Sequence, residues 1–241
     1  EELPDKHIDT GMGFERLVRA VQQKTSNYDT DVFMPYINTL EDLSKVTYGK
    51  VESTDIAFRV IADHIRAVSF AIADGQLPSN TGAGYVIRRI LRRAVRYGYT
   101  FLGFEKAFFY KLVHVLVAEM GDVFPEVVKQ ESFLVNVIKE EENSFFKTLS
   151  IGISKLEKMK EGNMKAIDGK TAFELFDTFG FPLDLTQLIA SEMSMSVDLD
   201  GFKAAMQVQK DRSKKAVEGS QGDWIELFHD EVEEFVGYDN L

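Results

Sequence analysis

No cysteine occurs anywhere in the chain, which removes disulfide staples and thiolate metal sites and suits an intracellular, cytoplasmic protein. Histidine is nearly as scarce. His7, His64, His114 and His229 stand far apart with no H-x-x-x-H pair, so a structural role fits each and no metal is predicted. No apolar run approaches the ~20 residues that a membrane span requires, and no signal-peptide pattern is present. A soluble chain with no membrane partner is expected. Walker-type phosphate loops are missing, as is any spacing that points to a Ser-His-Asp triad. An excess of positive charge is missing too: 28 basic residues against 39 acidic ones leave a formal charge of -11. Counterion release rewards many basic contacts, so indiscriminate binding to a polyanion is excluded and any nucleic-acid site must be local.

One stretch reverses this balance. Between Leu77 and Gly103 there is no acidic residue. A polar turn, Pro78-Ser79-Asn80-Thr81-Gly82-Ala83-Gly84, runs into a helix carrying Arg88, Arg89, Arg92, Arg93 and Arg96. At about 100° per residue these arginines share an arc of roughly 140°, while Val86, Ile87, Ile90, Leu91, Ala94 and Val95 fill the rest. Grouped guanidinium groups offer bidentate bonds to phosphate. The asparagine amide both donates and accepts, which suits a base edge, and Gly82 and Gly84 read as uncrowded backbone beside it. A plainer reading stays open: arginines paired with the protein's own carboxylates, and Asn80 engaged in turn chemistry or a helix cap.

Of the 241 residues, 44% are hydrophobic, enough for a real core. Residues 1–24 read as strand, glycine turn and helix, with Gly11 and Gly13 in the turn. Asp31 or a neighbour is expected to cap a helix through about Leu43. Residues 54–75 read as a capped helix whose Arg59, Asp63 and Arg66 pair along a solvated face. Helices follow over about 106–120 and 125–160, the second with Glu140-Glu141-Glu142 on its solvated side. Gly169-Lys170-Thr171 starts a short helix. A tight corner, Asp177-Thr178-Phe179-Gly180-Phe181-Pro182, leads to helices over 183–195 and 200–217, and Asp177 has the plain reading of a cap on that corner. Residues 218–223 form a linker, and 234–239 read as a strand beginning. The architecture is mostly α with a small strand remnant at each end, as in a piece of something longer.

Together these segments strongly resemble the alanyl-tRNA synthetase family. The resemblance rests on Asp9-Thr10-Gly11-Met12-Gly13-Phe14-Glu15-Arg16-Leu17, Ser26-Asn27-Tyr28-Asp29-Thr30-Asp31 and Ile61-Ala62-Asp63-His64-Ile65-Arg66-Ala67, then on the 78–96 stretch and the 177–182 corner. It implies that residues 1–24 are motif 3, the end of the class II aminoacylation domain. There Arg16 would contact ATP phosphate, Asp9 would hold the alanine amino group, and Gly11 and Gly13 would line the pocket. Residues 25–217 would be the helical tRNA-recognition domain, and 218–241 a linker and the start of the editing domain. By the same resemblance Asn80 and Asp177 read the G·U wobble pair of the acceptor stem, and Arg88, Arg89, Arg92, Arg93 and Arg96 lie near its backbone. ATP and Mg would serve the parent enzyme, and zinc would belong to the editing domain alone. Motifs 1 and 2 are absent, so this chain is not expected to activate alanine, and a dimer would reflect a strand edge left by truncation. The alternative is an acidic helical protein-interaction scaffold whose arginine face docks carboxylates.

Overall fold

The computed structural model describes residues 11–218, with side chains as far as Arg212. The strand readings at both termini, and Asp9 with them, lie outside the described residues. The helix Phe14–Val21 (α1) follows the glycine turn and buries none of its residues. Polar contacts hold it: Arg66 donates to Glu15 at 2.8 Å, and the Asp31 N–H donates to Gln22 Oε1 at 3.3 Å.

The helix that Asp31 was expected to cap has no side-chain cap, and Ser26 caps only the 3₁₀ turn ahead of it. The Ser26 hydroxyl accepts from the Tyr28 N–H at 3.2 Å over this turn, Asn27–Asp29, and the Thr30 carbonyl then receives the Phe33 and Met34 N–H groups. The helix Met34–Ser44 (α2) starts only there, with Pro35 in its first turn, where a missing N–H costs nothing. Asp31 lies too early to reach its free amides.

Apolar residues at three- and four-residue spacing make Glu52–Ala73 (α3) a buried axis: Phe58, Ile61, Ile65 and Ile72 are inaccessible to solvent. Each such side chain contributes roughly 1.5–3 kcal/mol of transfer free energy. Val51 precedes α3 without a side-chain cap, and Asp55 instead accepts from the Gly49 N–H at 2.7 Å. Nor do Arg59, Asp63 and Arg66 pair with one another. Arg59 donates to the Tyr48 hydroxyl at 2.8 Å, Arg66 reaches Glu15, and Asp63 neighbours His64 at 3.4 Å. Gly82–Leu102 (α4) packs along α3, burying Ile87, Leu91, Ala94 and Val95.

After a 3₁₀ turn at Phe109–Lys111 come Leu112–Met120 (α5), Pro125–Lys129 (α6) and Glu131–Glu161 (α7). The single helix expected over 125–160 is therefore broken at Gln130, whose side chain turns away to donate to the Ala73 carbonyl at 3.0 Å. Leu134, Ile138, Phe145 and Leu149 hold the buried stripe of α7. Glu142 lies on the same stripe and not on the solvated side. It is fully buried and accepts the Phe108, Phe109 and Tyr110 N–H groups at 2.6, 2.9 and 3.3 Å. Burial pushes its carboxyl from 4.5 up to about 7, against the pull of those three donors.

The remaining elements are Ala166–Ile167 (β1), Gly169–Asp177 (α8), Leu183–Glu192 (α9), Ser196–Val197 (β2) and Leu199–Glu218 (α10). β1 and β2 pair in parallel, Ala166 opposite Ser196 and Ile167 opposite Val197. The described strands thus lie within the chain, between helices. At the starts of α8 and α10 two glycines bring the backbones into contact: a Cβ on Gly169 would overlap the main chain of Gly201 and Phe202. The fold class is mainly α, with the site on the α4, α7, α8–α10 side.

Candidate nucleic-acid interface

Four of the five α4 arginines face two helices and pair with their carboxylates. On one edge of the arc, Arg92 donates to Glu141 Oε1 of α7 through Nε at 2.8 Å and Nη2 at 2.6 Å, and Arg88 lies 3.1 Å from Glu141 Oε2. In the middle of the arc Arg96 is buried and forms a two-pronged pair with Glu192 of α9, one contact being 2.9 Å. Arg89 lies 3.4 Å from Asp184 of α9. Burial draws the Arg92 guanidinium below its ordinary value while Glu141 pushes it back up. Arg93 alone of the five is exposed without an ion-pair partner among the described residues, its guanidinium 6.0 Å from the Tyr97 ring centre. The carboxylates that the arginine face docks are thus mostly the protein's own.

The turn before α4 is also packed. Gly84 is not open to a ligand: a Cβ there would overlap the Leu77 carbonyl and the Ser79 hydroxyl. Ser79 is held inside the turn, its hydroxyl donating to the Thr81 carbonyl at 2.7 Å and its N–H to the Gly84 carbonyl at 3.0 Å. Asn80 remains exposed. Thr81, not Asn80, is the N-cap residue of α4, and it makes no side-chain cap. The Asn80 side chain instead accepts from Arg88 through Oδ1. A guanidinium only donates, so this contact fixes the amide oxygen inward and leaves the amide N–H donors to face outward.

The corner after α8 is built from main-chain bonds and one buried ring. The Glu174 carbonyl receives the Thr178 N–H at 2.9 Å, and the Leu175 carbonyl receives the Phe181 N–H at 2.8 Å. Phe181 is fully buried, seated over Gly152 and in edge contact with Phe145 at 5.6 Å between ring centres. Gly180 takes φ +68°, a left-handed conformation that disfavours any side chain. Its carbonyl accepts from Arg92 Nη1 at 2.6 Å. With the corner's amides met by backbone carbonyls, Asp177 is not its cap. The Asp177 carboxylate is exposed and has no side-chain partner among the described residues.

Asn80 and Asp177, far apart in sequence, line one cleft of about 710 Å³. Arg88, Arg92 and Gly180 line it too, and α10 contributes Phe202, Met206 and Lys210. Lys210 is an exposed cation among these residues. A cleft of this kind offers an outward amide donor, a free carboxylate acceptor and an apolar floor. That set suits a polar edge presented by a folded polymer, such as a base pair in a shallow groove.

At the other end of the described chain, Gly11, Gly13 and Arg16 are exposed, and so are Met12, Phe14, Leu17 and Val21. No cluster of three His, Asp or Glu side chains able to hold a metal ion is found among the described residues. No described helix is long and apolar enough to cross a membrane.

Comparison with known proteins decides the family. The class II (A) tRNA synthetase family matches residues 1–241. The chain belongs to that family. Among similar proteins are the alanine–tRNA ligases of Cytophaga hutchinsonii, 61% identical over 100% of this chain, and of Christiangramia forsetii, 60% identical over 100%. The alanine–tRNA ligase of Bacteroides fragilis is 58% identical over 99%. This synthetase chain spans 28% of the length of each of these relatives. The class II synthetase reading therefore replaces the scaffold alternative, and the α4 arginines, paired with Glu141, Glu192 and Asp184, leave little of the face that the alternative required.

Proposed function

We propose that this chain is the part of an alanine–tRNA ligase that selects the tRNA acceptor stem by its G·U wobble pair. The ligase would join alanine to tRNA with ATP and Mg. Residues 1–24 would belong to its aminoacylation domain, 25–217 to tRNA recognition and 218–241 to the approach to the editing domain. The observation that carries the reading is the cleft shared by Asn80 and Asp177, whose two free polar groups are of opposite kind. A wobble pair leaves a guanine amino donor unpaired in the minor groove of an A-form stem, and the Asp177 carboxylate is a fit acceptor for it. The outward Asn80 amide donates, and a uracil carbonyl oxygen is its complement. Lys210, exposed among the cleft residues, and Arg93, exposed farther along α4, would meet phosphates, which position the stem without reading it. Arg88 and Arg92 would act mainly by holding the cleft in shape, while Arg89 and Arg96 tie α4 to α9.

Acceptor-stem minihelices with G·U or G·C at the discriminating pair test this in a salt-titrated binding assay. The G·U stem is expected to bind more tightly at every salt concentration. Asn80→Ala and Asp177→Ala are each expected to remove about 1–3 kcal/mol of that preference, with little change in the salt slope. Equal binding of the two stems by the unaltered chain would sink the reading.

A further inference from the structure

Asn80 and Asp177 sit on different elements, yet one chain of polar contacts joins the turn that carries the first to the corner that follows the second. Asn80 Oδ1 accepts from Arg88. Arg88 pairs with Glu141 Oε2 at 3.1 Å. Glu141 Oε1 accepts twice from Arg92, at 2.6 and 2.8 Å. Arg92 Nη1 then donates to the Gly180 carbonyl at 2.6 Å, inside the corner that begins at Asp177. Glu141 is the node, each of its oxygens holding one arginine. Its side chain is only 10% exposed, and Arg92's only 13%, so water screens this network weakly.

We infer that Glu141 is a positioning residue that sets the distance and orientation between the two base-reading side chains without touching RNA itself, an inference that rests on the function proposed above. The geometry leaves little redundancy. Without the Glu141 carboxylate, Arg88 and Arg92 are like charges one helical turn apart, and Arg88 is free to leave the Asn80 oxygen. The amide then rotates, and its outward edge is no longer fixed as a donor. Arg92 released from Glu141 likewise loses the orientation that holds the Gly180 carbonyl. Glutamine at position 141 keeps the volume and one acceptor but cannot bind two guanidinium groups as a carboxylate does. By contrast Glu192 holds Arg96 farther along α4, outside the cleft wall.

The experiment compares binding of G·U and G·C minihelices by the 241-residue chain and by Glu141→Gln, Arg92→Lys, Glu192→Gln and Asn80→Ala. The ¹H–¹⁵N resonance of the Asn80 side-chain amide is followed in the same samples. Glu141→Gln is expected to lower the G·U over G·C preference about tenfold while binding of the G·C stem changes less than about twofold, and to shift the Asn80 amide resonance. Arg92→Lys keeps the charge but cannot span Glu141 and Gly180 together, so it is expected to lower the preference in the same way. It serves as the deciding variant if Glu141→Gln does not fold. Glu192→Gln is expected to keep the preference and the Asn80 resonance. A preference lost in Asn80→Ala but retained in folded Glu141→Gln, or in Arg92→Lys where the former is unfolded, overturns the role of Glu141 alone. A preference absent from the unaltered chain, or retained in Asn80→Ala, overturns the recognition reading and this inference with it.

Discussion

Glu142→Ala is expected to destabilise the chain by about 3–4 kcal/mol, because three backbone N–H groups lose their acceptor in a site closed to water. The loss should appear as a lower urea midpoint at pH 7 with an unchanged slope. Glu142→Gln keeps one oxygen for Phe108 and Phe109 but turns an amide donor toward Tyr110, so its cost near pH 6 is expected to be smaller, about 1–2 kcal/mol. The pH dependence carries the sharper signature. With a folded value of about 7 against 4.5 for the free carboxyl, the native state binds more protons than the unfolded chain between those values. Stability from this group is greatest below pH 4.5, falls as pH rises, and is gone once pH passes about 7, a span of about 3 kcal/mol. All other ionisable groups are common to both proteins, so the difference between parent and Glu142→Gln isolates the carboxyl. Melts from pH 5 to 8 in which the two run parallel would show that Glu142 does not titrate there.

The second large effect is expected at Gly169. Alanine there drives a methyl group into the Gly201 and Phe202 main chain, and backbone has no rotamer with which to give way. A destabilisation of about 2–4 kcal/mol follows from such overpacking. The Asp198 N–H just before α10 donates to the Ile167 carbonyl of β1 at 2.9 Å, so the start of α10 cannot slide aside without losing that bond. The damage should reach the cleft, because Phe202, Met206 and Lys210 of α10 line it. Denaturant titration gives the stability term. Amide exchange along α8 and α10 checks the mechanism, with protection expected to fall first at their two starts. A Gly169→Ala chain as stable as the parent would mean that the two backbones do not lie this close.

Helix positions were largely legible because amphipathic periodicity reports burial directly, as in α3 and α4. The errors came where one residue's chemistry was read without its partner. Glu142 occupies the buried phase of α7, four residues after Ile138 and three before Phe145, but a carboxylate amid three glutamates reads as solvated. Only the three N–H groups of a distant turn explain its burial. Asp31 looked like a cap because caps are recognised by residue type, whereas the start of α2 is set by the Thr30 carbonyl and Pro35. The ladder of β1 and β2 was silent because two residues have no period. Within the candidate site, the arginine arc was visible as an angle, but its occupants were not: Glu141, Glu192 and Asp184 are on other helices. Bringing Asn80 and Asp177 to one cleft depends on Arg88, Arg92 and Gly180, contacts that no local pattern contains.

Pairing four of the five α4 guanidinium groups inside the protein also bears on time. A cation already balanced by a carboxylate draws little from the counterion cloud of an approaching RNA, so it adds little to long-range attraction. On the proposed reading, cognate and non-cognate stems then arrive at similar rates, and a stem that fails to satisfy Asn80 and Asp177 departs before the rest of a ligase acts on it. Selection by α4 and its corner becomes a matter of residence, set by how long two side chains hold one base pair.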